Sequence, residues 1–281
     1  MTKAWNAFWF GPEPLINLTA ARVVIVLNTL WILLSRPRLP DLVAWPAGFW
    51  SHIDPVVLRR FFIFAIGVRA EWVLYIALFI ALIAAGFGIR RRAAFFIAGM
   101  LLYHFAPLED IFSSDGPYFR GLGVPALAFL IFSFADASDV RWPLMLTKLL
   151  FVFTYLFSGI AKIFVPGVPT WISKQHFLLI VAGRSSPDAI TPWSEFFFRH
   201  PALGPGAAAL VLALDLSIIV MIFRPRTAWF FVPAAMTMHL LAPGFVGVIF
   251  LDAPLLLLFV DWNAAAQRFS KRLTSTKPST Q

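Results

Sequence analysis

Apolar residues run through this chain in long unbroken stretches, punctuated by short clusters of charge, proline and glycine. The stretches fall near 15–35, 72–89, 93–108, 119–135, 144–165, 206–223, 228–242 and 246–261. A membrane span needs roughly 20 apolar residues at a helical rise of about 1.5 Å each, and hydrocarbon tolerates no unpaired backbone, so helices are the expected form. The runs are continuous and do not alternate, which argues against a β-barrel. The predicted fold is therefore all-α: a polytopic transmembrane helix bundle of eight spans, or seven if a short pair is re-entrant. The runs 93–108 and 228–242 are short for a full crossing, leaving half-membrane or tilted helices open.

The same punctuation divides the chain into an interfacial segment, residues 1–14, a single transmembrane domain, 15–262, and a tail, 263–281. Trp5, Phe8, Trp9 and Phe10 with a single Lys resemble an interfacial segment more than a cleavable leader. Two long connections interrupt the bundle. Residues 36–71 hold Pro37, Pro40, Pro46 and Pro55 and a Phe-rich stretch at 60–66 too short to cross, and are expected to form an interfacial helix and loop. Residues 166–205 carry Trp171, Trp193 and Phe196 to Phe198, suited to the headgroup level. The tail is polar and basic, and is expected to be cytoplasmic and disordered.

Composition sharpens this reading. Hydrophobic residues make up 60% of the 281 and charged residues only 13%, whereas soluble domains carry about a quarter charged positions. The mean hydropathy of +0.80 agrees. A net charge of +9 would suit nucleic acid, but the basic residues are dispersed between apolar runs, so no nucleic-acid partner is expected and membrane lipids are. With the N-terminus inside, the inner short loops hold Arg90, Arg91, Arg92, Arg141, Lys148, Arg224 and Arg226, against Arg120 alone outside. That bias predicts both termini in the cytoplasm, although the long connection 36–71 carries five Arg of its own. The absence of cysteine excludes disulfides, thiol redox chemistry and thiolate metal sites.

Ionisable side chains within spans are costly unless paired or wetted, which makes them the first functional candidates. Five fall inside the predicted spans: Arg22, Lys162, Asp215, His239 and Asp252. Lys162 shares a helical face with Tyr155, Ser158 and Gly159, at offsets of seven, four and three residues. In the predicted topology that face ends near the outer surface. A Lys held dry there would serve as a base, while a Lys reaching the headgroups would only snorkel. His239, in Met236-Thr237-Met238-His239, lies toward the same side and is either a packing residue or a ligand. His104 closes the third span there, followed by Glu109, Asp110, Asp115 and Tyr118 in an outer connection. Arg22, at a depth similar to Asp215 and Asp252, is expected to form a buried structural ion pair. No metal is expected, because His52, His104, His176, His200 and His239 show no short ligand spacing.

The run Tyr155-Leu156-Phe157-Ser158-Gly159-Ile160-Ala161-Lys162, with Trp171 after it, resembles the segment of the vitamin K-dependent gamma-carboxylase family in which an aromatic-rich helix leads to the catalytic Lys. Similar correspondences run along the chain: Ala20-Ala21-Arg22 in the first span, Gly88-Ile89-Arg90-Arg91-Arg92, Pro117-Tyr118-Phe119-Arg120-Gly121, the His239 span, and Asp261-Trp262. Stand-alone bacterial chains of this kind are grouped as horizontally transferred transmembrane (HTTM) domain proteins. The resemblance implies an outward pocket for a reduced quinone, menaquinol or vitamin K-like, with Lys162 and His239 as catalytic residues. Tyr155, Ser158, Gly159, Tyr118, Trp171 and His104 are implied to line it. In the carboxylases the Lys deprotonates the hydroquinone, oxygen converts it to a strong base, and that base removes a proton from a peptide glutamate that then takes up carbon dioxide.

Two departures qualify what is implied. Asp115-Gly116 stands where the carboxylases carry Asn-His, and no counterpart is expected of the large non-cytoplasmic domain that helps hold their protein substrate. A quinone-linked oxidation or a binding role is thus expected before peptide carboxylation, and any peptide or protein substrate is unspecified. The competing class is a non-catalytic membrane scaffold, such as a maturation factor or partner of a secreted protein. A solute transporter is the weaker third, because the two halves show no convincing repeat. The expected location is a bacterial inner membrane.

Overall fold

The computed structural model describes residues 2–35, 39–44, 67–111, 121–135, 140–184, 192–246 and 250–275. These residues are helical throughout and form no strand beyond one antiparallel bridge between Pro12 and Val140. The helices are α1 (Lys3–Phe10), α2 (Leu15–Ser35), α3 (Val68–Gly86), α4 (Arg91–Ile111), α5 (Gly123–Ser133), α6 (Trp142–Phe164), α7 (Val168–Trp171), α8 (Lys174–Arg184), α9 (Pro192–Arg199), α10 (Gly204–Ser217), α11 (Val220–Phe223), α12 (Ala228–Val246) and α13 (Trp262–Ser275). Short 3-10 turns fall at Leu39–Ala44, Pro201–Leu203, Pro225–Thr227 and Ala253–Phe259.

Among the described residues, four stretches are long and apolar enough to cross a membrane: Leu15–Ser35, Val68–Gly86, Trp142–Phe164 and Pro201–Phe223, the last running from its 3-10 turn through α10 and α11. Their outer faces are apolar as well. Leu27 and Trp31 on α2, Val73 and Ile80 on α3, and Leu210 on α10 are each more than half exposed. Soluble monomers rarely expose that much contiguous apolar surface, so the chain is a membrane protein. The inner face of α2 shows the complementary stripe, with Leu18, Ala21, Ile25, Thr29 and Ile32 buried at intervals of three and four.

Several expected spans take other forms. The 119–135 stretch contributes α5, of 11 residues, which is too short to cross. α5 is buried nearly all round by Val124, Ala126, Ala128, Phe129 and Phe132, and packs against α2, α4 and α6. The eighth stretch, 246–261, yields the 3-10 segment Ala253–Phe259, wedged between α2, α6 and α12 with Leu255 and Leu256 fully covered. By contrast α4 and α12 run to 21 and 19 residues, longer than hydropathy suggested, because helical hydrogen bonding continues past the apolar runs.

The connections also differ from expectation. The Phe-rich stretch at 60–66 lies outside the described residues, as does Tyr118. Residues 68–71 of the expected loop are the first turn of α3, which places Glu71 inside that helix. Residues 166–205 fold into α7, α8 and α9, and their core of Phe177, Val181 and Phe197 packs on Ala208 of α10. Phe197 is buried there instead of facing headgroups, while Phe196 and Phe198 stay partly exposed. The expected disordered tail begins as α13, because its polar residues hide an apolar stripe of helical period. Between α3 and α4, Gly88 at φ 72° closes α3: the Gly88 amide donates to the Ala85 carbonyl and the Ile89 amide to the Ala84 carbonyl. This double bond pattern needs a left-handed residue, which glycine adopts without strain.

Candidate functional site

The site is built on the last two turns of α6. Tyr155, Ser158, Gly159 and Lys162 share one face, as their spacing predicts, and that face meets α10. Gly159 sets the distance between the two helices. A Cβ there would lie 2.9 Å from Leu216 Cδ2 and 3.1 Å from Asp215 Cβ, so only glycine admits α10 this closely. The approach carries Asp215 to Lys162, whose Nζ lies 2.6 Å from Asp215 Oδ2 and donates to Ser158 Oγ at 2.6 Å. The ion pair is well covered, with side chains 15% and 5% exposed. Trp171, at the end of α7, forms its roof: the ammonium sits 5.1 Å from the indole centroid, and Nε1 donates to the Ala208 carbonyl at 3.2 Å. The position of Lys162 in the final turn of α6 also suits a cation, because the helix dipole places negative charge there.

Two turns back, the Tyr155 hydroxyl is hydrogen-bonded to His239 Nε2 of α12. The imidazole packs on Phe250 at 4.3 Å between centroids and is 6% exposed. Its Nδ1 is buried without a partner among the described residues. Pro243, one turn on, has no N–H to offer the His239 carbonyl, so α12 lacks a rung of its ladder at this residue. Asp215 and Asp252 both act electrostatically on Tyr155. The tyrosine thus stands between the lysine pair and the histidine.

Lys162, Tyr155, Ser158, Gly159, Trp171 and His239 therefore come together around the end of α6. His104 does not join them. Its Nε2 lies 2.9 and 3.1 Å from the two oxygens of Glu71, a fully buried carboxylate, so His104 belongs to an α3–α4 pair. The expected Arg22 ion pair is not formed with Asp215, which Lys162 holds; Arg22 lies 5.7 Å from the Phe132 ring centroid, and the charge acting on it is Arg91 of like sign. Asp252 caps the 3-10 segment through its backbone, with its carbonyl accepting from the Leu255 amide at 2.9 Å.

Comparisons with protein-family profiles, curated proteins and solved structures find no match.

Sequence reasoning singled out Asp215 but did not join it to Lys162; Gly159 was the signal for that pairing, since a small residue on the lysine face marks close helix approach. Glu71 fell one residue outside its predicted span. His176, whose ring lies 5.3 Å from Trp171, gave no signal beyond its place in an aromatic stretch. Among the described residues no group of three or more His, Asp or Glu is arranged to hold a metal.

The site can hold and redistribute protons. A carboxylate, an ammonium, a phenol and an imidazole meet in a largely apolar setting, where electrostatic interactions are strong because water does not screen them. Among the described residues, His239 Nδ1 is a buried side-chain nitrogen at this site with no partner, and so can bond a further hydroxyl.

Proposed function

We propose that this chain is a multi-pass protein of a bacterial inner membrane, with both termini cytoplasmic, whose α6 site binds a reduced quinone and takes a proton from it. The reading of the termini rests on the basic residues gathered in alternate short loops. The observation that carries the functional reading is the paired geometry on one helix face: Lys162 with Asp215, and Tyr155 with His239. A reduced quinone would supply two weakly acidic phenolic hydroxyls on an apolar ring, which suits a site bordered by the rings of Trp171, Tyr155 and Phe250. Lys162 would act as base after passing its own proton to Asp215, which leaves a neutral amine beside a carboxylic acid. The amine then takes a phenolic proton, and His239 Nδ1 engages the other hydroxyl. Exclusion of water by Trp171 and the α7–α9 layer would protect that exchange. The resemblance of Tyr155 to Lys162 to the carboxylase segment supports the same assignment.

One observation favours a second reading. The Lys162 ammonium already has Ser158, Asp215 and the Trp171 face as partners, which is what a structural ion pair in a non-catalytic scaffold requires. Anaerobic titration of the purified protein in nanodiscs with menaquinol, followed by quinol absorbance and tryptophan quenching, separates the two. Saturable binding lost in both Lys162→Met and His239→Ala supports the quinol site. Absent binding, or binding unchanged in both variants, leaves the scaffold.

A further inference from the structure

One carboxylate and one histidine within the bundle take no part in the chemistry proposed for α6. Glu71, in the first turn of α3, is 0% exposed, and His104 reaches it from α4. Both carboxylate oxygens, at 2.9 and 3.1 Å, meet the single nitrogen Nε2 of His104, and among the described residues nothing else bonds that carboxylate. The histidine side chain is 15% exposed, so one member of the pair is sealed and the other touches the outside.

Among the described residues, no cation other than His104 faces Glu71. Arg69 lies two positions away on α3, exposed and on the opposite side of the helix. Tyr75, one turn on, donates its hydroxyl to the Leu33 carbonyl of α2 at 3.0 Å, and Tyr103 is the titratable neighbour of His104 on α4. The 3-10 turn Leu39–Ala44 packs on both helices, and its Asp41 accepts from Trp72 Nε1 at 2.9 Å. Arg22 of α2 lies roughly 16 Å along the axis from Leu33, Arg91 and Arg92 stand at the far end of α4, and α5 has no ionisable group. The side chains of Glu109 and Asp110 lie outside the described residues.

An ionised carboxylate in such a place is strongly disfavoured unless its charge is balanced. A proton balances it in either of two ways: an imidazolium beside a carboxylate, or a neutral imidazole beside a carboxylic acid. Both arrangements carry one proton more than the carboxylate with a neutral ring. The exposed edge of His104 is the route by which that proton comes and goes. We propose that Glu71 and His104 form a second site, separate from α6, whose ligand is a single exchangeable proton. Loading holds α3 and α4 together at this end. With the proton gone, the carboxylate is drawn toward water, which loosens the first turn of α3 and, through Trp72 and Asp41, the turn Leu39–Ala44 packed against it. The assignment makes no use of the quinol reading and stands or falls without it.

The test is nuclear magnetic resonance of the full chain in phosphatidylcholine nanodiscs, with isotope labels at the glutamate carboxyls and the histidine rings. Signals are assigned with Glu71→Gln and His104→Gln and followed from about pH 5 to about pH 9, a range that brackets the ordinary histidine value. The pair is expected to carry one proton at the acid end and to lose it toward the alkaline end. Over the same range, amide hydrogen exchange of 39–44 and 68–72 should quicken by about tenfold beyond its intrinsic pH dependence, as loss of a charge-assisted hydrogen bond requires. That extra dependence should vanish in Glu71→Gln, whose amide can still bond the ring without a charge. A pair already without its proton at the acid end overturns the proposal, because something else then balances the carboxylate. So does a pair that keeps its proton throughout, which is a locked structural contact, or a proton lost with no change in exchange.

Discussion

α6 carries a lysine near each end, and the two are treated differently. Lys148 and Lys162 lie on the same face, about 21 Å apart along the axis. Lys162 touches a carboxylate directly, is bonded by Ser158 and is roofed by Trp171. Lys148 lies 5.6 Å from the Phe259 ring centroid, and the carboxylates of Glu13 and Asp261 act on it only from a distance. Those two acids are bonded elsewhere, Glu13 by Arg141 and Asn17, and Asp261 by Asn17 and the first turn of α13. The difference follows from what faces each lysine. Gly159 lets α10 come close enough to deliver an acid, whereas Lys148 looks toward the leucine-rich 3-10 segment Ala253–Phe259, which has only an aromatic ring to offer. One lysine is therefore part of a poised pair, and the other is a cation tethered near a polar seam.

The largest expected effect comes from breaking the poised pair. Lys162→Ala leaves the buried Asp215 carboxylate without its ammonium, and should cost about 3–5 kcal/mol of stability. Replacing both members, as Lys162→Met with Asp215→Leu, should restore that loss or add about 1–4 kcal/mol, because a buried ion pair is seldom more stable than well-packed apolar groups of similar size. Unfolding of the three proteins by sodium dodecyl sulfate in mixed micelles reads this order. A double variant as unstable as the single one would mean that the pair is not the buried, mutually compensating unit described here.

How far the sequence anticipates this site depends on the scale. The face of α6 is legible, because offsets of three, four and seven need only helical period, and the membrane class follows from hydropathy alone. The partner of Lys162 is not legible, since Asp215 lies on a helix more than fifty residues away and its side was decided by the space at Gly159. Hydropathy also cannot tell a lipid-facing run from a protein-facing one. α5 and Ala253–Phe259 read as spans because they are apolar, yet they are apolar because other helices surround them. The 166–205 connection failed in the opposite sense. Its aromatics suit an interface, but Phe177 and Phe197 meet at 4.8 Å and build a small core of their own. Glu71 was hidden by a boundary drawn one residue late, a reminder that a carboxylate at the edge of an apolar run can be carried inside by the first helical turn.

An intermediate effect should come from the space that creates the difference between the lysines. In Gly159→Ala the new methyl meets Leu216 Cδ2 and Asp215 Cβ inside normal contact distance. The leucine end can move, but the Asp215 Cβ is held by its helix, so α10 must shift away or the pair must stretch. Such overpacking costs about 1–3 kcal/mol. Cysteine pairs introduced on facing turns of α6 and α10, in a chain that has none of its own, should then cross-link more slowly than in the glycine parent. Unchanged cross-linking with unchanged stability would show that α10 does not depend on Gly159 for its position.

The smallest effects belong to the other end of α6, and they test whether Lys148 is as uncommitted as its surroundings indicate. Lys148→Met removes a cation–ring contact worth about 0.5–1 kcal/mol but also the cost of holding an ammonium away from water, and methionine fills nearly the same space. The net change should stay within about 1 kcal/mol, well below that of Lys162→Ala. Arg141→Ala removes the contact with Glu13, in which the arginine is 37% exposed, and should cost about 0.2–1 kcal/mol. The two variants together should depart from additivity, because Lys148 and Arg141 repel each other and Glu13 acts on both. If Lys148→Met instead destabilises the protein as strongly as Lys162→Ala, Lys148 has a direct carboxylate partner, and α6 carries two poised pairs instead of one.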